Sequence, residues 1–466
     1  MNRRIGIAVL VGVVILAYPA AAWLIGVSAE HQWEQRGQEV SSRYPFLEVI
    51  KHEYHRGVYS ATEEVTYRLT GQPAKRLQSL PGNPQEGDFQ FTVRNTLHHG
   101  PLPQLRTFAP ATIDSEVILP PHVQQKLAAL FDGKAHLTIH TTLHWSGSST
   151  TVVRSPAFTQ QMADGSKVNW QGLDGTSDAG RDLNYWKVDL TVPGLDLASP
   201  QLSARIENLR LRADQQAAFD GLYVGKGDLA VTRLEVAGKT AAESRFSVQD
   251  FVAHSKSSAQ GDYLDFDGTF NADSIQARQL TLTHPGLEVR GSHFYGPATA
   301  ALNKSFRDAR ADSTNAVPDV AKMMEPLKTS GVDILVRDPV LEIPRIGFAM
   351  PEGELQVSLK ASAHGLTREE LDGPPIALRA AMAKHLQLSA DVRIDTALLD
   401  KLLDTSGQSE RVTAQLQGLQ RQGYITLEGK ALTTHLTFAG GQLKVNGQSF
   451  PPMPGAMPQP PPGGHR

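Results

Sequence analysis

Histidine and carboxylate clusters are the places where this chain could do chemistry. His136, His140 and His144 stand four residues apart, a spacing that on a helix would line up three imidazoles as metal ligands. Their neighbours decide otherwise. Leu137, Ile139, Thr141, Leu143 and Trp145 alternate with His136, Thr138, His140, Thr142 and His144, the period-two pattern of a strand with one buried face. Four residues of strand span ~13 Å, which one metal ion cannot bridge, so the histidines are expected on a wet face. His52-Glu53-Tyr54-His55 has one residue too few between its histidines for the HExxH zinc signature, and it too lies in a β-like stretch, where it reads as surface. Asp262, Asp265 and Asp267 before Gly268 open like a calcium loop, yet position five of such a loop is Thr269 and the closing glutamate is missing. Leu264, Phe266 and Phe270 mark those aspartates as the polar parity of a strand.

The chain has no cysteine, which excludes thiolate catalysis, iron–sulfur clusters, cysteine zinc sites and disulfides together. It also lacks a nucleophile elbow, a phosphate-binding glycine loop and a metalloprotease helix signature. No catalytic residue, cofactor or metal is assigned, and a non-enzymatic role is expected. His98-His99-Gly100-Pro101 is the best candidate for a special local structure: the glycine frees the backbone and the proline fixes it beside two titratable rings. His99, Gly100 and Pro101 read first as a rigid turn ending a strand.

The elements that would position such residues are mostly strands. Phe89, Phe91 and Val93 alternate with Gln90, Thr92 and Arg94, and Leu202, Ala204 and Ile206 with Ser203, Arg205 and Glu207. Parity then flips at Asn208, so that Leu209 and Leu211 oppose Arg210 and Arg212, for which a bulge or register break is the simplest cause. Strands with one polar face each indicate an antiparallel sheet. Leu355, Val357, Leu359, Ala361 and Ala363 share one face of a later strand, and Leu386, Leu388, Ala390, Val392 and Ile394 one face of another. Helical spacing appears near Pro121 to Phe131, at Val317, Val320, Met324 and Leu327 after Asn315, and in two segments between Asp395 and Gly423 that carry Leu398, Leu399, Leu402, Leu403, Leu416 and Leu419.

Residues 1–27 decide the location. Arg3 and Arg4 precede an uncharged run from Ile5 to Val27, roughly 23 residues and long enough to cross a ~30 Å hydrocarbon core as a helix. The positive-inside tendency keeps the N-terminus cytoplasmic and sends the rest across. A signal peptide cleaved near Ala20-Ala21-Ala22 is the rival reading. Against it, the apolar run continues through Trp23, Leu24, Ile25 and Val27, and Tyr18 and Trp23 suit an interfacial belt. The charge balance of 45 basic to 48 acidic residues, net -3, gives no basic field for nucleic acid.

Several landmarks then stand in order along nearly the whole chain: the N-terminal anchor, Tyr54-His55-Arg56-Gly57 with Tyr59-Ser60 after it, His99-Gly100-Pro101-Leu102-Pro103, and Gly441-Gln442-Leu443 to Asn446-Gly447. In these the chain resembles the YdgA-like family of bacterial envelope proteins, a group of unknown biochemical function. The resemblance implies a Gram-negative inner-membrane protein, single-pass, with its bulk in the periplasm. It supplies no catalytic residues.

The expected fold is mainly β (α+β): an N-terminal transmembrane helix and then a large curved antiparallel sheet with short helices packed on it. The expected segments are an anchor (1–27), a juxtamembrane stretch (28–45), a β-rich region (46–294), a helical insertion (295–330), a second β-rich region with short helices (331–450) and a Pro/Gly tail (451–466). The expected function is a membrane-anchored periplasmic protein that binds or shields a lipid-like amphiphile, with Val357, Leu359, Leu388 and Val392 facing it. The alternative is an interaction scaffold for an envelope protein, or a homo-oligomer formed through sheet edges or the small-residue surface of Gly6, Gly12 and Gly26 on the anchor. Partners are therefore the inner membrane through residues 5–27, a lipid or envelope protein, and a second copy of the chain.

Overall fold

The computed structural model describes residues 46–71, 74, 89–121, 136–162, 165–200, 202–238, 245–278, 280–311, 330–406 and 409–450. The expected anchor and tail, the helix near Pro121 to Phe131 and the residues Val317 to Leu327 lie outside them. Among the described residues, no helix is long and apolar enough to cross a membrane. The chain divides into two compact units: the first runs through Arg245 and takes in Ala300–Pro326, and the second holds Phe246–Thr299 and everything from Leu327.

In the first unit the strands are β1 (Leu47–Arg56), β2 (Ser60–Leu69), β3 (Gln90–His99), β4 (Ala111–Ile118), β5 (Thr138–Leu143) and β6 (Ser149–Ser155). They continue with β7 (Phe158–Gln161), β8 (Lys167–Trp170), β9 (Leu173–Ala179), β10 (Tyr185–Ala198), β11 (Leu202–Phe219) and β12 (Leu222–Gly238). Each pairs antiparallel with the next from β1 to β6. β9 then joins β6 to β10, and β11 and β12 follow. The β7–β8 hairpin docks on the last residues of β10. β11 has 18 residues, ~60 Å of extended chain at ~3.3 Å per residue.

Period-two patterning gives these strands their two faces. On the polar face, direct cross-strand partners are ion pairs: Arg154–Asp174 at 3.1 Å, Arg212–Asp189 at 3.1 Å, Lys187–Asp214 at 3.1 Å and Arg205–Asp196 at 2.6 Å. All are well exposed, so each contributes only ~0–1 kcal/mol, and their main effect is to keep that face wet. The parity flip at Asn208 is neither the bulge nor the register break expected. Val192 still opposes Leu209 and Gly194 still opposes Glu207, so no residue is inserted. Asn208 instead takes a left-handed φ of 51° opposite Pro193, and the apolar series of β10 and β12 shift at the same level, from Leu190 and Val192 to Leu195 and Leu197, and from Leu229 and Val231 to Leu234 and Val236. Trp145 also departs from expectation: β5 stops at Leu143, and the Ser146-Gly147-Ser148 turn leaves the ring exposed rather than on the buried parity.

The second unit repeats the design with β13 (Phe246–Gln260), β14 (Tyr263–Asn271), β15 (Ser274–Ala277), β16 (Leu280–Tyr295), β17 (Val340–Met350), β18 (Gly353–Ala363) and β19 (Leu386–Asp395). β14 and β15 lie end to end between β13 and β16, and β16 to β19 pair in sequence. β19 then pairs with β21 (Ala431–Ala439), whose far side carries β20 (Thr426–Glu428) and β22 (Gln442–Val445), and β22 closes against β23 (Gln448–Ser449). Helix α1 (Gly296–Ala311) follows β16 directly and lies within the expected helical insertion of 295–330. Then come α2 (Val332–Leu335), α3 (Arg368–Leu371), α4 (Pro375–His385), α5 (Thr396–Ser406) and α6 (Ser409–Arg421). α3 opens with a capping box in which Thr367 and Glu370 satisfy each other's backbone N–H groups. α6 is closed by Gly423, just past its last residue Arg421 and in the left-handed region at φ 77°, with Tyr424 N–H reaching back to the Leu419 carbonyl, the closure such a glycine permits.

Candidate functional site

β2 and β3 carry polar residues on the parity that should be apolar. Ala61, Val65 and Tyr67 share theirs with Glu63, and Val93 and Leu97 share theirs with Asn95 and His99. All three polar residues are buried, His99 to 1% exposure and Glu63 to 2%. A row of hydrogen bonds crosses four strands there. His52 Nε2 faces Glu63 Oε1 at 2.9 Å, Asn95 Nδ2 donates to Glu63 Oε2 at 2.7 Å, and Ser115 Oγ donates to Asn95 Oδ1 at 2.6 Å. Beside the row sits the small core of Ala61, Leu97 and Ile113, with Tyr54 and Leu143 packed on it. His52 is itself exposed, as its sequence context indicates, and its ring meets the row at its outer end. Burial, and then the nearby Glu63, hold the Tyr67 phenol above its usual range, so it stays a neutral hydroxyl.

A carboxylate beside an imidazole is two-thirds of a hydrolytic triad. The order is wrong here, because the row's one hydroxyl, Ser115, is on β4, three strand spacings or ~14 Å from His52. The row satisfies buried polar groups and presents no nucleophile to its base. Among the described residues, no three histidines or carboxylates have metal-binding geometry. His140 Nδ1 pairs with Asp114 at 2.7 Å and His144 Nε2 with Thr150 at 3.0 Å, both exposed.

The His99-Gly100-Pro101 segment is held firmly. His99 N–H donates to the Tyr59 carbonyl at 3.0 Å and Gly100 N–H to the Pro110 carbonyl at 3.0 Å. Gly100 sits at φ 129°, a conformation that suits glycine. Pro103 is buried and opens a single 3-10 turn, Pro103–Leu105, in which Gln104 and Leu105 both take left-handed φ, 50° and 57°.

Apolar strips are the second candidate. On β18 and β19, Val357 opposes Val392, Leu359 opposes Ala390 and Ala361 opposes Leu388. Beyond them Leu388 opposes Phe438 and Ala390 opposes Leu436 on β21. Val357, Leu359, Leu388 and Val392 thus share one neighbourhood, and all four are half-buried. α5 packs on β18 and β19 with Leu398 wholly buried, and α4 reaches β21, so helices cover this strip in part. The first unit has longer strips that were not singled out from sequence. Leu190, Leu211 and Leu229 lie side by side across β10, β11 and β12, as do Leu195, Ile206 and Leu234, and every one is half-buried. Their signal was present in the alternation of β11, but equal patterning in three strands says nothing of which will be neighbours.

Protein YdgA of Escherichia coli (strain K12) is 20% identical over 492 aligned residues, covering 97% of this chain and 95% of YdgA. No solved structure matches the chain. A family model described as "Bacterial protein of unknown function (DUF945)" matches residues 1–453. With that match over nearly its whole length, the chain belongs to the DUF945 family of bacterial proteins.

Proposed function

We propose that this is a membrane-anchored, non-enzymatic protein of the bacterial envelope, periplasmic in its bulk, whose sheet holds or shields an acyl-chain amphiphile along its apolar strips. The observation that carries the reading is the set of aliphatic rows Leu190–Leu211–Leu229 and Leu195–Ile206–Leu234, half-buried on strands whose opposite face is a ladder of ion pairs. A face built this way gains by being covered, at ~0.8 kcal/mol for each methylene that leaves water. Residues 5–27 supply the anchor in this reading, with Arg3 and Arg4 on the cytoplasmic side.

The alternative is a scaffold that self-associates through sheet edges. It meets a poor edge in β1, whose pairing with β2 is broken by an irregularity between Val49 and Lys51 and whose outward residues include the exposed pair Lys51–Glu53 at 2.9 Å. Bulges and charges are what blunt an edge against pairing. The deciding experiment is lipid extraction and native mass spectrometry of the full chain purified in mild detergent. Bound phospholipid is expected, and Leu211→Asn and Leu388→Asn should each lower the load while circular dichroism stays unchanged. A lipid-free protein with a defined dimer would replace this reading with the scaffold.

A further inference from the structure

Three successive turns at one end of the first unit's sheet display large apolar side chains to solvent. Val58 and Tyr59 stand in the β1–β2 turn, Leu105 and Phe108 in the β3–β4 loop, and Trp145 in the β5–β6 turn. Leu105 is 77% exposed, Phe108 76% and Trp145 50%. The turns are neighbours: His99 N–H binds the Tyr59 carbonyl, and the Phe108 and Trp145 rings lie 5.7 Å apart. These side chains are not loose. Pro103 and Ala109 are buried on either side of the exposed pair, and Gln104 and Leu105 are kept in left-handed conformations that non-glycine residues seldom adopt. The fold therefore fixes a leucine in water at a conformational cost instead of turning it inward.

Charge identifies the occupant. Over the whole chain acids outnumber bases, 48 to 45, yet residues 54–62, 100–110 and 143–151 contain no Asp or Glu and carry Arg56, Arg106, His55 and His144 at exposed positions. Arg106 sits between the two most exposed apolar residues and has no carboxylate within ion-pair distance among the described residues. Leucine and aromatic rings at the tips with an arginine beside them are the set that settles at a bilayer interface, rings among the headgroups and guanidinium on phosphate. We infer that these three turns form a docking surface for an anionic phospholipid bilayer, distinct from the apolar strips of the same sheet.

The test uses the full chain reconstituted into vesicles of phosphatidylcholine alone or with phosphatidylglycerol, each carrying brominated acyl chains, and repeated with such vesicles added from outside. Comparison with Trp145→Phe isolates the Trp145 emission from that of the other tryptophans. That component should be quenched, more strongly with phosphatidylglycerol. Quenching should be lost in Leu105→Ser/Phe108→Ser and its dependence on phosphatidylglycerol lost in Arg106→Gln, all with unchanged circular dichroism because these side chains are exposed. Leu211→Asn should leave the quenching intact, which separates this surface from the proposed amphiphile strip. An unquenched Trp145 component with host and added vesicles alike would overturn the inference, as would quenching that survives loss of both Leu105 and Phe108.

Discussion

Glu63 and Glu64 are neighbours on β2, and the same substitution at each should have very different consequences. Glu63 is buried at 2% exposure and holds Asn95 Nδ2 at 2.7 Å and His52 Nε2 at 2.9 Å. Glu63→Ala orphans both groups. A buried polar group without a partner costs ~1–3 kcal/mol; Asn95 is deep enough to incur that fully, while His52, with a third of its side chain exposed, recovers part of it from water. The total is about 2–4 kcal/mol. Glu64 points to the other face, where it accepts from Arg94 at 2.7 Å, and Arg94 keeps a second carboxylate, Glu116, at 3.5 Å. Both partners are substantially exposed, so Glu64→Ala should cost only ~0–1 kcal/mol. Urea unfolding of the detergent-solubilised full chain, followed by tryptophan fluorescence, gives both values if the slopes agree with the parent protein. Replacing Glu63 and Asn95 together by leucine should recover part of the loss, because the most deeply buried pair is then removed as a unit and only the part-buried Ser115 hydroxyl and the exposed His52 ring are left to find water. Costs for Glu63→Ala and Glu64→Ala that agree within about 0.5 kcal/mol would refute the assignment of faces on β2 and the structural importance of the row.

Leu359→Asp should be severe, placing a charge on the half-buried parity opposite Ala390, whereas Lys360→Asp should be mild beyond losing the exposed 2.7 Å pair with Glu342; thermal melts showing equal losses would count against the β18 register. The Thr367 N–H, assisted by His385, pulls the Glu370 carboxyl from 4.5 down to about 2. Its stabilisation is therefore fully present above about pH 4.5 and lost as the pH falls toward about 2, so the melting-temperature gap between the parent and Glu370→Gln should close over that window, and a constant gap would refute it. Intact-mass measurement of protein taken from membranes should find residues 1–27 retained; a mature start at Trp23 would replace the anchor with a signal peptide.

Much of the strand architecture was legible because period two is a strong signal wherever one face is wet: β5, β18 and β19 fall where the alternation of His140, Lys360 and Arg393 puts them. α5 and α6 were equally legible from Asp395, Ser409 and Gly423. Ends of elements were less so, since Trp145 keeps the alternation going into a turn that Gly147 dictates. The polar row was visible in principle, because Glu63, Asn95 and His99 each interrupt an apolar parity, but which strand would face which depends on pairing over 20 to 32 residues of sequence. The exposed tips leave no periodic trace. Leu105 and Phe108 look like ordinary loop residues until three turns are brought to the same end.

Long, regular antiparallel strands face a problem of alignment. A slide by two residues restores every side chain to its proper face, so alternation alone distinguishes neighbouring alignments weakly, and strands such as β10, β11 and β12 offer several nearly equivalent ones. The coordinated shift at Pro193, Asn208 and Thr232 removes that degeneracy. Asn208 Nδ2 reaches Thr232 Oγ1 at 3.4 Å, and Pro193 stands where the neighbouring strand turns left-handed. If one strand slid by two, its shift would fall out of line with the others, setting Val192 against Glu207 or Leu209 against Arg233, according to the strand and direction of the slide. The three residues act as a key in a lock, admitting one alignment, and an asparagine that looks like a flaw in the pattern is what lets a ~60 Å ladder close in a single way.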